Sequence, residues 1–428
     1  MTIPGADPSP FETSLAALDP EISAAIDGEL ARQRATLDLV ASESVPSRAV
    51  LEAQGSILTT KYADGYPGHR DYDTCEWIDE IERLAVERAK SLFGADHANV
   101  QSYSGANANA AVLHALCEPG DAVLGFDFTH GGHPTHYASE TFAGRYYRAV
   151  AYHVRREDRL VDMEEVAALA RRHRPKVLFA GWSCYPRHLE FARFRRIADE
   201  VGAALVVDMA HFAGLVAAKV HPDPVPFADV CTMTVHKTLG GARGGAILCR
   251  QELAERIDAA VYPGEQGCPL PHVIAAKAVT FKLAATDAFR ERMVRTLDGA
   301  RIMAESLVAA EDRTLATVVT GGTDVHQMLI DLAPGGREAG AMLRRLNSIG
   351  FSANAIALAY DPLAEPACSG LRFGSAALAA RGFTREQFAD VGGILADSLT
   401  HGGEDPDGAL AGRVAELTAA VPLYRYLG

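Results

Sequence analysis

This chain of 428 residues has too little positive charge for nucleic-acid binding to be its main business: Lys and Arg number 41 against 55 Asp and Glu, a net charge of −14. Phosphate backbones are bound by clustered cations, so the balance excludes an extended nucleic-acid groove while leaving room for small anions. No apolar run approaches the length of a membrane-spanning helix. Met1 to Pro10 offers neither a basic segment nor an apolar one, so a cytoplasmic protein with no membrane partner is expected. The seven cysteines (75, 117, 184, 231, 249, 268, 368) are scattered without a CxxC pair, which predicts reduced thiols and no zinc framework. Neither the dinucleotide fingerprint nor a Walker loop is present, and no internal repeat or low-complexity linker interrupts the chain. A nicotinamide dehydrogenase or P-loop reading is thereby poorly supported.

What is present is ordinary globular composition, with 48% hydrophobic and 22% charged residues. Asp19-Pro20-Glu21 reads as an N-cap followed by proline at the first helical position, opening an amphipathic helix to about Arg34. Beyond Glu76, helical stretches (Ile78 to Phe93, Asn107 to Cys117) alternate with short apolar runs. These runs are Ala122–Phe126, Lys176–Ala180, Ala204–Val207, Val230–Met233 and Ala246–Leu248. Strands alternating with helices predict an α/β fold, a mainly parallel sheet covered on both faces. Val273 to Ala310 reads as one long helix or two consecutive ones. After it a smaller α+β domain is expected, with strands at Val325–Asp331 and around Leu371–Phe373 and helices at Arg337–Ser348 and Thr384–Thr400. The expected division is an N-terminal arm and helix over 1–40, a large domain over 41–290 and a small C-terminal domain over 291–428.

Ligands in such sheets bind beyond the carboxyl ends of the strands, which is where Asp208 and Lys237 fall. An amine to bind the cofactor covalently, with a carboxylate to keep a ring nitrogen protonated, is what pyridoxal phosphate needs. Ser104-Gly-Ala-Asn-Ala-Asn109 precedes a helical stretch, where free N–H groups and the helix dipole favour a phosphate; an N-cap explains the serine as well. Gly240 to Gly245 gives a flexible turn beside Lys237. Three histidines in Thr129-His-Gly-Gly-His-Pro-Thr-His136, with His211, raise a metal site, but two glycines and a proline break the helix that would align them. No metal is expected, and an imidazole stacked on a flat cofactor ring is the better reading. Tyr62 to Tyr72 is a loop rich in tyrosines, acids and turn formers, the kind of segment that carries function.

The strings LVASES, LEAQGSILTTKYADGYPG, RAKSLFGADHANVQ, THGGHPTH, VVDMAHFAGLVA, HKTL, PGEQGCPLPHVIAAKA and SGLRFGSAALAARGF occur in order from about residue 20 to 400. In them the chain resembles the serine hydroxymethyltransferases. The resemblance implies the aminotransferase-like fold type I and pyridoxal 5'-phosphate as cofactor. It implies that Lys237 carries the cofactor, that Asp208 pairs with the pyridine nitrogen, and that His133 stacks on the ring. Ser183 and His211 would sit near the phenolic oxygen, His236 beside the lysine, and Ser104, Gly105 and Ala106 around the phosphate. Ala106 stands where the family usually has serine, one hydroxyl donor fewer. Arg372 and Ser42 would hold the substrate carboxylate. Tyr62, Tyr72 and Gly267 would reach in from a neighbouring subunit of a homodimer or tetramer, and Tyr62 would take part in catalysis, as would Asp64, with His133 or a bound water, by moving the proton of the β-hydroxyl.

The departures from the family's pattern fall on the second substrate. The loop that usually reads YAEGYPGKRYYGG reads YADGYPGHRDYDT here, so a glutamate becomes Asp64 and a folate-stacking tyrosine becomes Asp71. Ile356 replaces an asparagine that hydrogen-bonds the pterin, and lost bonds of that kind cost about 1–3 kcal/mol each. Val235, Glu265 and Cys268 are smaller changes. These substitutions make tetrahydrofolate use doubtful. The expected activity is making or breaking the Cα–Cβ bond of a β-hydroxy amino acid with an aldehyde partner, as a folate-independent aldolase or transaldolase. The alternative is a folate-dependent serine or α-methylserine hydroxymethyltransferase. A non-catalytic protein of the same fold is disfavoured by intact Lys237, Asp208, His133 and Arg372.

Overall fold

The computed structural model describes residues 10–363, 367–400 and 408–427. Seven short strands form the main sheet: β1 (His97–Asn99), β2 (Ala122–Phe126), β3 (Arg148–Tyr152), β4 (Val177–Gly181), β5 (Ala204–Asp208), β6 (Val230–Thr234) and β7 (Gly245–Cys249). Their spatial order is β1-β7-β6-β5-β4-β2-β3. From β6 through β3 every pairing is parallel, whereas β7 is antiparallel to both of its neighbours. The central strands are buried along their whole length, which is why they read as continuous apolar runs rather than alternating ones.

Helix α1 (Pro20–Ala35) starts where expected, with Asp19 accepting a hydrogen bond from Ile22 N at 3.0 Å, but no residue of it is buried. Ile22 and Ile26 on it are exposed. Helices α2 (Glu76–Phe93) and α3 (Gly105–Leu116) flank the sheet. The long apolar stretch after 270 is two helices, α4 (Pro271–Ala284) and α5 (Asp287–Val308). They part at Thr286, whose side chain accepts from Phe289 N and so caps the second.

A four-stranded antiparallel sheet follows, in the order β8 (Thr317–Val318), β9 (Gln327–Asp331), β11 (Gly370–Gly374), β10 (Asn354–Ile356). Helices α6 (Ala339–Ser348), α7 (Arg385–Ser398) and α8 (Ala409–Ala420) accompany it. Two large apolar clusters result, and α5 contributes to both: Phe289, Met293 and Leu297 to the first, Met303 and Leu307 to the second. Leu37 and Leu39 also belong to the second cluster, so the segment just after α1 packs against the C-terminal half of the chain.

Candidate active site

Strands β5 and β6 lie side by side with Asp208 opposite Thr232, which brings the strand-end aspartate near the turn carrying Lys237. Asp208 is buried, yet its charge is well provided for. Its Oδ2 accepts from Asn109 Nδ2 at 2.9 Å and lies 3.0 Å from His136 Nε2, while Oδ1 accepts from Ala210 N at 3.0 Å. Burial alone would push the carboxyl up; the hydrogen bond and charge of His136, helped by His133 and Asn109, carry it below the usual range instead. Asn109 is fixed in turn, donating to Thr135 Oγ1 and accepting from Thr232 Oγ1.

The Lys237 amine is pulled down to about 8 by burial, with Asp208 opposing and Arg372 assisting. A depressed amine is a better nucleophile near neutral pH. His133 caps the short turn Pro134–His136, its Nδ1 lying 2.7 Å from Thr135 Oγ1, and burial lowers it to about 4, so the ring is neutral. Burial likewise holds His211 far below its normal range, and His236 at about 3. His211 stacks against His326 at 5.6 Å and lies near Trp182. Ser104 caps α3 by accepting from Asn107 N at 3.1 Å. As the first residues of that helix, Gly105 and Ala106 carry N–H groups with no partner inside it, and Ala106 is exposed. These are the donors an anion would meet.

Arg372, on β11, is buried and points its guanidinium back across the two clusters. Nη1 donates to Ser183 O at 2.9 Å and Cys184 Sγ at 3.2 Å, Nη2 donates to Asn354 Oδ1 at 3.0 Å, and Nε lacks a partner. Ser42 borders a separate groove with Glu43, His236 and Arg243.

The remaining expected residues gather elsewhere, on the loop 62–73. Tyr62 and Tyr72 are both exposed, with rings 5.4 Å apart edge to face. Asp64 has a buried Oδ1 without a partner, and Asp71 N donates to Asp64 O. Asp71 Oδ2 accepts from Tyr262 OH at 2.6 Å. Gly267 follows Gln266, which accepts from Tyr103 N and donates to Gln101 O. Among the described residues, the hydrogen bonds of this loop run to its own residues and to others that include Asp79 and Glu82 on α2, Gln101 and Tyr262. None reaches Lys237 or Asp208 of the same chain.

A serine hydroxymethyltransferase family model matches residues 15–395. The chain belongs to the serine hydroxymethyltransferase family. It is 56% identical over 416 residues to a serine hydroxymethyltransferase of Nocardia farcinica, covering 97% of this chain and 96% of the relative. It is 54% identical over 414 residues to serine hydroxymethyltransferase 2 of Mycobacterium tuberculosis (96% and 97% covered), and 53% identical over 411 residues to the Corynebacterium glutamicum protein (96% and 95%).

Serine hydroxymethyltransferases are fold type I pyridoxal phosphate enzymes, and the residues here suit that group. A depressed amine answers its aldehyde, an ionised buried carboxylate answers its pyridine nitrogen, a flat neutral imidazole answers its ring, and an open helix N-terminus answers its phosphate. His133, His136 and Asp208 do bring ligand atoms within 4.8 Å of one another. The bond between His136 and Asp208 already uses two of those atoms as a donor–acceptor pair. His130 departs from the trio altogether, packing on His153 and Tyr360.

Sequence reasoning passed over His136 and Asn109. Their partner lies 72 and 99 residues away, and the only local signal was that both sit in motifs already singled out. Cys184, which touches Arg372, gave no signal at all.

Proposed function

We propose that the protein transfers the hydroxymethyl group of serine, with tetrahydrofolate as the one-carbon acceptor. The observation that carries this reading is the pairing of a buried, depressed amine at Lys237 with an ionised carboxylate at Asp208 on adjacent strand ends, in a chain more than half identical to named serine hydroxymethyltransferases over nearly its whole length. That likeness favours the folate-linked reaction over the folate-free aldolase expected from the sequence.

Pyridoxal phosphate, when bound, supplies an electron sink for the pair released at Cα. The chain supplies the rest. Lys237 would hold the cofactor, Asp208 would keep its ring nitrogen protonated, and Ser104, Gly105 and Ala106 would hold its phosphate. Arg372, with Ser42, would bind the substrate carboxylate and so fix which Cα bond is aligned for cleavage. Asp64, whose Oδ1 has no partner, would take the β-hydroxyl proton as the Cα–Cβ bond breaks, Cβ would leave as formaldehyde and condense with two amine nitrogens of tetrahydrofolate with loss of water, and Cα would gain a proton to give glycine. The exposed rim side chains Tyr62 and Tyr72, with Ile57, Trp77 and the apolar positions of α1, suit burial against a second copy. In such a homodimer the rim of one subunit would complete the site of the other.

A folate-free aldolase or transaldolase is the second reading, favoured by one feature. The Asp71 carboxylate is engaged by the Tyr262 hydroxyl at the rim, where a charge disfavours stacking of a flat heterocycle. The deciding measurement is serine cleavage by the holoenzyme with and without tetrahydrofolate, followed as glycine formed. A rate that rises by more than about tenfold with tetrahydrofolate supports hydroxymethyl transfer, in keeping with the size of a properly oriented acceptor's effect. Equal rates in both would support the aldolase.

A further inference from the structure

Lys277 on α4 is 1% exposed and takes no part in the chemistry above. Its ammonium donates to three carbonyl oxygens: Val100 O at 2.7 Å, Gly245 O at 2.8 Å and Ser102 O at 2.9 Å. Three acceptors at that range require three protons, so the geometry selects the charged form. Burial opposes this and lowers the amine to about 7, with the charge of Glu82 acting against the shift. The stem is also fitted closely: a Cβ at Gly244 would stand 2.5 Å from Lys277 Cε.

The three carbonyls belong to the two segments that frame the open end of α3. Val100 and Ser102 lead into the Ser104 cap, and Gly245 begins β7, its N–H donating to Ser102 O at 2.9 Å. A Cβ at Gly245 would collide with Ser104 O at 2.3 Å, so these backbones are in contact. Without the ammonium, Ser102 O would keep the Gly245 N–H while Val100 O and Gly245 O would lose a charged donor, a cost that backbone rearrangement would relieve by shifting the turn.

We infer that Lys277 is the positioning residue of the phosphate cradle, a buried cation that fixes the Val100–Ala106 turn and adds positive potential behind the N–H groups of Gly105 and Ala106. The ligand class it selects is a phosphate monoester dianion. This inference rests on pyridoxal phosphate being the cofactor, and the test separates the two.

The full-length protein, freed of cofactor, is titrated with pyridoxal phosphate and with pyridoxal, following the change in absorbance on binding. Lys277→Gln and Lys277→Met are compared with the unaltered chain. Both variants are expected to bind pyridoxal phosphate about tenfold more weakly or worse, as loss of charge-assisted bonds requires, while pyridoxal changes by less than about threefold. Inorganic phosphate should likewise raise the thermal midpoint of the unaltered protein and leave that of Lys277→Gln unmoved. Unchanged affinity for pyridoxal phosphate, or equal losses for the two aldehydes, would overturn the inference. If neither variant folds, Gly244→Ala, which crowds the lysine stem, decides by the same comparison. Failure of the unaltered chain to bind pyridoxal phosphate would instead remove the cofactor assignment.

Discussion

Asp38 sits just before the Ser42 turn with its Oδ1 accepting from Val40 N at 2.9 Å. Burial, and then a hydrogen bond shared with the Glu43 carboxyl, raise it to about 7. A carboxyl raised on folding binds a proton that the unfolded chain has already lost. Its contribution to stability is therefore complete below about pH 4 and disappears as pH rises through 7. Asp38→Asn keeps the acceptor for Val40 N and removes the titration. The variant is expected to be more stable than the unaltered protein by about 1–3 kcal/mol at pH 8 and to match it near pH 4, the figure being reduced for partial exposure. Urea unfolding at the two pH values measures the difference, and a gain of the same size at both would refute the shared-proton account. Single residues of this kind were legible in the sequence only when position in an element announced them. Asp208 and Lys237 stood at strand ends, whereas the demands on Asp38, His136 and Lys277 come from distant segments that no local pattern reveals.

Arg70 holds the rim loop as an element. Its side chain is 4% exposed and donates to the carbonyls of Ala63 and Gly65 and to Asp79 and Glu82, at 2.7–2.8 Å. Asp79 and Glu82 lie on α2, so one guanidinium ties the Tyr62–Tyr72 loop to a helix of the large sheet layer. Arg70→Met leaves the buried Glu82 without its cation and Asp79 with only the half-exposed Arg83, 3.4 Å away. A loss of about 3–5 kcal/mol in unfolding free energy is expected, because a buried pair broken from one side strands the other. Thermal unfolding checks this, and a change below about 1 kcal/mol, the size of a surface pair, would mean the network is solvated. The loop was recognised by composition; its anchor was not, since Glu82 looks like any helical acid until the fold turns it inward. Other elements divide the same way. The apolar strands β2, β4, β5 and β6 were read within a residue or two, but β1 and β3 were passed over. His97-Ala-Asn99 is too short and polar to register, and β3 begins at an exposed arginine on the sheet edge. The antiparallel run of β7 follows from the ten-residue turn 235–244, too short to carry a crossover helix.

At the scale of the whole molecule, the expected site residues fall into two groups that share no hydrogen bond or ring contact among the described residues. Lys237, Asp208, His133 and His211 influence one another electrostatically at the strand ends, with Arg372 hydrogen-bonded to Ser183 O; Tyr62, Tyr72 and Gly267 are exposed on the rim, with Asp64 half-buried among them. Residues from both groups were legible one at a time, but their separation was implied only by the family resemblance and by no local pattern, because it depends on where the turn 62–73 leaves the sheet. Two tyrosines 58% and 47% exposed, with a buried carboxylate oxygen lacking a partner beside them, make an incomplete surface. A shared site has a consequence that a self-contained site does not. In the proposed homodimer, Lys237→Ala and Tyr62→Ala should each be inactive. Mixed, unfolded together and refolded, they form heterodimers in which one site has an intact lysine from one chain and an intact tyrosine from the other. Random pairing then restores about a quarter of the sites, read as glycine formed from serine. If both residues served the same chain's site, every mixed dimer would carry one defect at each site and no activity would return. Recovery of activity is thus decided by geometry alone, and a mixture as inactive as its parents would place the rim in its own subunit.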